Sequence, residues 1–420
     1  MARILFVNQY YWPDVASTGQ HLTDLAEHLA AHGHEVRVVC SRGKYDRGQA
    51  QAPAREVRAG VEIRRLRATS FGKRRTLVHR ALDYVSFHAL AAFEVARSRW
   101  ADVVVTLTTP PLLGLCGRLA QITSGAKHVH FVMDLHPDAE FELGMVSPRS
   151  ALGRLLDWGC GHPMRRAEAN VVLGPYQGAR VAAKGVDADR IHEIPVWSRA
   201  DEVTPIDHAD NPLREAQGWS ERFVVMYSGN AGLVHQFEEL LDAAQRLDRE
   251  APEVLFAFVG GGPRRPEIEA QARALGLSNV SFADYVPREQ LSHSLCAADV
   301  HFMSLRPEQT GVAVPGKLQG ILASARPVLF VGAERCESAD TIRDARAGLT
   351  FTPGDGQALA DAILALRAEP DRRRMMGERG RAAFLETFEQ GRCCEAWRLL
   401  LEEICGSSVE VEPLPLARAA

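Results

Sequence analysis

Val224-Val-Met-Tyr-Ser-Gly-Asn-Ala-Gly232, followed by Phe258-Val-Gly-Gly-Gly-Pro263, is the stretch on which the reading of this chain turns. Each segment is an apolar run of strand length that ends in a glycine turn and leads into a helical pattern from His235 or Arg264. Two successive strand–turn–helix units of this kind predict a parallel sheet covered by helices. They also place both turns at one edge of that sheet, where such sheets bind ligands. A glycine turn before a helix N-terminus suits a diphosphate, because amide N–H groups and the helix dipole point outward. Gly260, Gly261 and Gly262 let the backbone come close to a flat or bulky ligand.

Outward from this stretch the alternation continues. To its C-terminal side, strands are expected at 279–282, 299–303, 327–331 and 348–351, with helices at 287–296, 316–323, 355–367 and 370–386. To its N-terminal side a proline-bearing polar stretch, Val203–Pro212, reads as a linker. Before it stands a second alternating series, with strands at 3–8, 35–40, 61–66, 102–107, 127–132, 169–173 and 191–194. The chain of 420 residues is too long for one ordinary core. The expected architecture is therefore α/β, with two doubly wound Rossmann-like domains facing across a cleft. Residues 1–200 form the first and 201–388 the second. Helix 389–405 lies beyond the second domain's needs and is expected to complete the first, and 406–420 reads as a disordered tail. In the first domain Ser17 and Thr18 are the N-cap candidates for a helix that Gly33 stops.

Composition narrows the function classes. Eight cysteines without a CxxC pair, several inside apolar stretches, indicate reduced thiols and a cytoplasmic setting. No signal-peptide pattern opens the chain, and no segment is long and apolar enough to span a bilayer. The net charge of −4 hides an asymmetry. Residues 1–100 hold 16 Lys+Arg against 9 Asp+Glu, and nine of the basic residues fall within 55–80. That segment is either a solvated face or a surface for an anionic membrane or a phosphate-bearing acceptor. No recognition module accompanies it, so nucleic acid is not an expected partner.

The candidate chemistry lies in loops after strands. In Ala298–Val328 an irregular loop with Glu308 and Gly311 precedes a helix whose first turn holds Lys317. A cation there opposes the helix dipole unless an anion sits between them, which makes Lys317 a phosphate partner. Asp134 and His136 stand just past a buried strand, where α/β enzymes keep catalytic groups. Tyr10–Gly19 forms a further loop at a helix N-terminus. The sequence has no HExxH and no tight His/Asp cluster, so no metal and no cofactor are expected.

Taken together, these residues carry a resemblance. The carriers are Asn8-Gln-Tyr-Tyr-Trp-Pro-Asp14 with Thr18-Gly19, Met133-Asp-Leu-His-Pro137, Tyr227-Ser-Gly-Asn230 with Val234-His235, Phe258–Pro263, and Val314-Pro-Gly-Lys-Leu318 through Arg326-Pro-Val328. The chain resembles the retaining family 4 glycosyltransferases of the GT-B fold, particularly the branch that builds bacterial surface polysaccharides. The resemblance implies transfer of a sugar from a nucleotide diphosphate sugar, with retention of configuration. The implied acceptor is a glycan or a polyprenyl-diphosphate-linked glycan, which would bring the protein to the inner face of the cytoplasmic membrane. It also implies that Gly229, Asn230, His235 and Lys317 meet the diphosphate, and that Gly260–Gly262 lie near the nucleoside. Glu308, Gly311, Val312 and Pro315 would lie near the donor sugar, Asp134 on the catalytic side, and Thr18 and Gly19 across the cleft. Many members carry two glutamates separated by seven residues in this loop. Here those positions are Val312 and Gly320, Thr310 stands where a related branch has its glutamate, and Glu308 is the substitute. A GT-B nucleotide-sugar epimerase and a non-catalytic GT-B scaffold are the alternatives.

Overall fold

The computed structural model of the protein describes residues 1–42, 52–69 and 77–406. Among them the first sheet holds β1 (Arg3–Val7), β2 (Glu35–Ser41), β3 (Arg55–Arg58), β4 (Val61–Leu66), β5 (Val103–Thr106), β6 (Lys127–Phe131), β7 (Ala169–Val172) and β8 (Ile191–Glu193). Their order is β3-β4-β2-β1-β5-β6-β7-β8, parallel throughout except for the β3–β4 pair. β3 is absent from the sequence reading because its Arg-Glu-Val-Arg pattern carries little apolar signal. Ala59 and Gly60, with φ of 47° and 80°, fold it back onto β4 as a charged edge strand.

The first sheet is covered on both faces. On one face lie α1 (Ser17–Ala31) and, from the far end of the chain, α15 (Gln390–Cys405). On the other lie α2 (Leu77–Arg97), α3 (Gly114–Ser124), a short α4 (Asp138–Glu142), α5 (Ala151–Arg166) and α6 (Pro175–Ala183). α1 begins at Ser17 with Ala16 as N-cap and no side-chain cap bond, so the expected Ser17 or Thr18 cap does not form. Thr18 instead turns inward, where its Oγ1 accepts a 3.4 Å hydrogen bond from Asn8 Nδ2.

The second sheet holds β9 (Phe223–Ser228), β10 (Val254–Val259), β11 (Val280–Ala283), β12 (Val300–Ser304), β13 (Val328–Val331) and β14 (Gly348–Phe351), all parallel in the order β11-β10-β9-β12-β13-β14. Around it stand α7 (Pro212–Ala216), α8 (Glu238–Glu250), α9 (Arg265–Ala274), α10 (Leu291–Cys296), α11 (Lys317–Ala323), α12 (Glu337–Asp344), α13 (Gly356–Ala368) and α14 (Pro370–Ala383). The expected linker is no loose tether. Val203 is buried in the second core, Asn211 caps α7 by accepting from Leu213 N, and the Ile206 carbonyl accepts from Arg326. Its polar residues are spent on packing against α10 and on capping.

The chain crosses between the two sheets twice, side by side. Ser198 N donates to the Phe388 carbonyl at 3.1 Å and Gln390 N to the Ser198 carbonyl at 3.0 Å. Beyond the second crossing Glu389 caps α15 by accepting from Gly391 N. Trp397, Cys393, Cys394 and Leu401 then enter the core of the first sheet, where the Trp397 ring meets Phe131 edge-on at 4.7 Å. The tail proposed for 406–420 lies, from 407 on, outside the described residues. All eight cysteines are free and seven are buried. No helix among the described residues is long and apolar enough to cross a membrane.

Candidate functional site

β9 and β10 are neighbours in register, so their glycine turns lie against each other. Gly229, Gly260 and Gly262 have φ between 123° and 126°, a region that L side chains rarely adopt. A Cβ on Gly260 would stand 2.4 Å from the Gly229 carbonyl oxygen, and one on Gly262 would stand 2.5 Å from Ala231 N. The expectation that these glycines serve approach to a ligand is thus corrected in part, because they first allow two main-chain turns to touch. Tyr285, close over Gly260 and Gly261, closes the outer side.

The amides of the first turn are largely spent inside the protein. Gly229 N donates to Val259 O, Ala231 N to Gly261 O and Gly232 N to Asn230 O. Only the Asn230 amide of this turn lacks a main-chain acceptor among the described residues. Nor does a helix start here, since α8 begins at Glu238 and not at His235. Its first turn carries Glu238 and Glu239, and a Glu238 carboxylate oxygen accepts from Phe237 N at 2.8 Å. That helix end is already met by negative charge. On the two glycine turns the Asn230, Gly261 and Gly262 amides have no main-chain acceptor among the described residues, so main-chain amides supply only part of the cradle read from the sequence.

What forms is a cation without a counterion. Lys317 opens α11, and its Nζ donates to Tyr227 Oη at 2.6 Å and approaches His235 Nε2 at 3.3 Å. Tyr227 in turn donates to the Asn230 carbonyl. His235 Nδ1 lies 2.5 Å from the Ser304 carbonyl, which only accepts, so Nδ1 carries the proton and Nε2 faces Lys317 as an acceptor. Two of the three ammonium N–H groups are thereby held, and the third is left for a ligand. No carboxylate pairs with Lys317 among the described residues. Burial pushes its ammonium down from 10.5 to about 7. Burial, with Lys317 next to it, pushes His235 down to about 3, so the imidazole is neutral. A Cβ on Gly229 would lie 3.8 Å from Lys317 Nζ, which puts the glycine turn and the ammonium on one wall.

The opposite wall comes from the first sheet. Asp134 follows β6 and pairs with Ala313 as an isolated antiparallel bridge, and Leu135 N donates to the Val312 carbonyl at 3.0 Å. The loop before α11 is therefore attached to both halves. Its Gly311, at φ 70°, has space for no side chain, since a Cβ would stand 2.4 Å from the Tyr176 carbonyl oxygen. Val312 and Pro315 are buried there. Asp134 is exposed to the cleft, yet its enclosed setting raises its carboxyl above the usual range, a trend that neighbouring His136 opposes. His136 Nδ1 is 2.8 Å from Glu140 Oε1. Burial alone would lower His136, but Glu140 and Asp134 raise it. Glu308 stands exposed on a short turn, its carbonyl bound by Arg180 Nη2 at 3.1 Å, and no described residue hydrogen-bonds its carboxylate. Gly19 packs under the Tyr10–Tyr11 turn, where a Cβ would meet backbone at 3.2 Å.

The structure thus brings Gly229, His235 and Lys317 into one cluster and Asp134, Gly311 and Val312 into another. Sequence reasoning missed Tyr227 as the acceptor for Lys317, Glu140 as the partner of His136, and Arg180 as the clamp on the loop. Among the described residues the group with metal-ligand reach is His28, His32 and Glu395. His28 lies ten residues along α1 from Thr18, about 15 Å away by helical rise. The basic 55–80 segment is also altered: Arg58 pairs with Glu27, Arg64 with Glu94, and buried Arg65 with Glu56. Lys73, Arg74 and Arg75 lie outside the described residues.

Comparison with known proteins agrees with this two-domain fold. Residues 18–197 match the model of the glycosyl transferase 4-like domain, and residues 210–383 match glycosyl transferases group 1. A probable glycosyltransferase WbjE of Pseudomonas aeruginosa is 28% identical over 268 residues, which cover 64% of this chain and 66% of that protein, just under two thirds. A putative colanic acid biosynthesis glycosyl transferase WcaI of Escherichia coli is 27% identical over 76% of this chain and 81% of its own. The crystal structure of Anabaena Alr3699/HepE in complex with UDP-glucose superposes with a TM-score of 0.71 at 16% identity, covering 96% of this chain and all of that one.

Proposed function

From the premise that this chain belongs to the glycosyltransferases of the GT-B fold, we propose that it moves a sugar from a nucleotide diphosphate sugar onto a glycan acceptor of surface-polysaccharide synthesis, with retention and without a metal. The observation that carries this reading is Lys317, an ammonium that has no counterion and one free N–H among the described residues, set beside Gly229. Breaking the anomeric bond releases a nucleoside diphosphate, so the site must meet negative charge as it develops. One oriented donor in a closed site contributes about 2–4 kcal/mol to such a transition state. The HepE structure with UDP-glucose supports a nucleotide sugar as donor. Asp134 stands on the acceptor side, where a carboxylate meets positive charge developing at the anomeric carbon or the acceptor hydroxyl. A polyprenyl-diphosphate-linked glycan is the acceptor class we favour.

The test is turnover of UDP-, GDP- and dTDP-sugars, with and without EDTA, by the protein and by Lys317→Ala. A slow release of free sugar that survives EDTA is expected, and the substitution is expected to lower it at least about 100-fold. Near-normal turnover in the variant removes the leaving-group role of Lys317. Loss of activity in EDTA that manganese restores overturns metal independence.

A further inference from the structure

α1 and α15 pack side by side on the first sheet, and one group of donors at their contact has no part in the transfer reaction. His28 stands in the last turn of α1, His32 caps the end of that helix, and Glu395 reaches them from α15. Positions four apart share one helix face, and the two imidazole centroids are 4.2 Å from each other. One ligand atom from each of the three residues lies within 4.8 Å of the other two. The group sits at the end of α1 away from Thr18. In a parallel sheet that end lies at the amino ends of the strands, opposite the cleft.

Three details suit these side chains to hold an ion. His32 Nδ1 lies 2.8 Å from the His28 carbonyl, which only accepts, so Nδ1 carries the proton and Nε2 keeps its lone pair. A ring anchored through its other nitrogen on a carbonyl is the arrangement that orients metal-bound histidines. His28 Nε2 is shielded from solvent and has no hydrogen-bond partner among the described residues, although Glu395 Oε2 is 3.5 Å away. Arg398 donates from Nη2 to Glu395 Oε1 at 2.6 Å and from Nε to Oε2 at 2.8 Å, which orients the carboxylate. Glu402, 2.6 Å from Arg398 Nη1, offsets the guanidinium charge, so the surroundings do not repel a cation. Two imidazole nitrogens and one carboxylate oxygen fit zinc and its transition-metal neighbours, whereas magnesium and calcium prefer oxygen alone.

We propose that His28, His32 and Glu395 form a zinc-class cation site that fastens α15 to α1, with water at the fourth position. The ion joins the first helix of the chain to the last, so it binds the folded protein and not the unfolded one. The experiment is titration of the untagged, chelator-treated full chain with zinc, read by calorimetry and by thermal unfolding, alongside His32→Ala and Glu395→Gln. One zinc ion per chain and a Tm raised by at least about 2 °C are expected, with magnesium giving neither. Each substitution is expected to weaken zinc binding at least about tenfold. His32 is exposed, so His32→Ala keeps the metal-free Tm of the parent, and it loses the visible absorption that cobalt gives in the parent site. Release of free sugar from the donor is the same with and without zinc, which keeps this test separate from that of the transfer reading. Zinc that binds the parent and both variants alike, or that leaves Tm unchanged, overturns the proposal.

Discussion

Lys317 holds the site's charge in an unusual state. Its ammonium is brought by burial from 10.5 to about 7, so at pH 8 the free protein carries it mostly neutral. A bound diphosphate favours the charged form, and nucleotide binding at pH 8 is therefore expected to take up close to one proton. Calorimetry in buffers of different ionisation enthalpy measures it, and the uptake should vanish below about pH 6, where the lysine is already charged. The sign for stability follows from the same shift. Between about 7 and 10.5 the unfolded chain binds the proton more tightly, so this group alone lets stability rise with pH in that window, and its cost is fully present below it. Lys317 was legible in the sequence because a cation at a helix start opposes the dipole. Its partners Tyr227 and His235 were not legible as partners, because separations of 90 and 82 residues place nothing together until the sheet forms.

Among elements, α15 shows what periodicity does and does not tell. Its amphipathic pattern was plain, but the sheet on which Cys394 and Trp397 pack is decided by the second crossing at Glu389. Trp397 is fully buried against Phe131. Trp397→Ala is expected to cost about 3–5 kcal/mol in urea denaturation, with nucleotide binding retained in the folded fraction. A result under about 1 kcal/mol would show that α15 is an accessory. The charged edge strand β3 and the start of α8 escaped the sequence reading for opposite reasons. β3 has too few apolar residues to signal a strand, whereas His235-Gln-Phe237 was taken for the start of the helix although Ser304 Oγ claims Gln236 N.

At the level of the whole molecule the described residues add side-chain contacts between the two halves to the Asp134–Ala313 and Leu135–Val312 pairing. Arg180 binds the Thr310 and Glu308 carbonyls, the Glu337 carboxylate accepts from Gln177 N, and the Tyr176 hydroxyl donates to Asp340 at 2.5 Å. Arg180→Ala leaves both cores untouched and is expected to enlarge the radius of gyration in small-angle scattering and raise KM for the donor more than it lowers kcat. Gly311→Ala forces a left-handed side chain against Tyr176, at about 1–2 kcal/mol for the backbone alone, and should act in the same direction. An unchanged scattering curve in both variants would remove these contacts from the control of closure. None of this clamp was legible in the sequence, because it is made of main-chain carbonyls and of residues with no motif of their own.

The paired crossings at Ser198 and Glu389 return the chain to the half in which it began. β1 and α15, near opposite ends of the sequence, share one hydrophobic core. Fluorophores attached near Met1 and Gly406 would therefore keep a constant spacing while the jaws open and shut. A reporter of that motion needs one dye on the other half, for instance on α13.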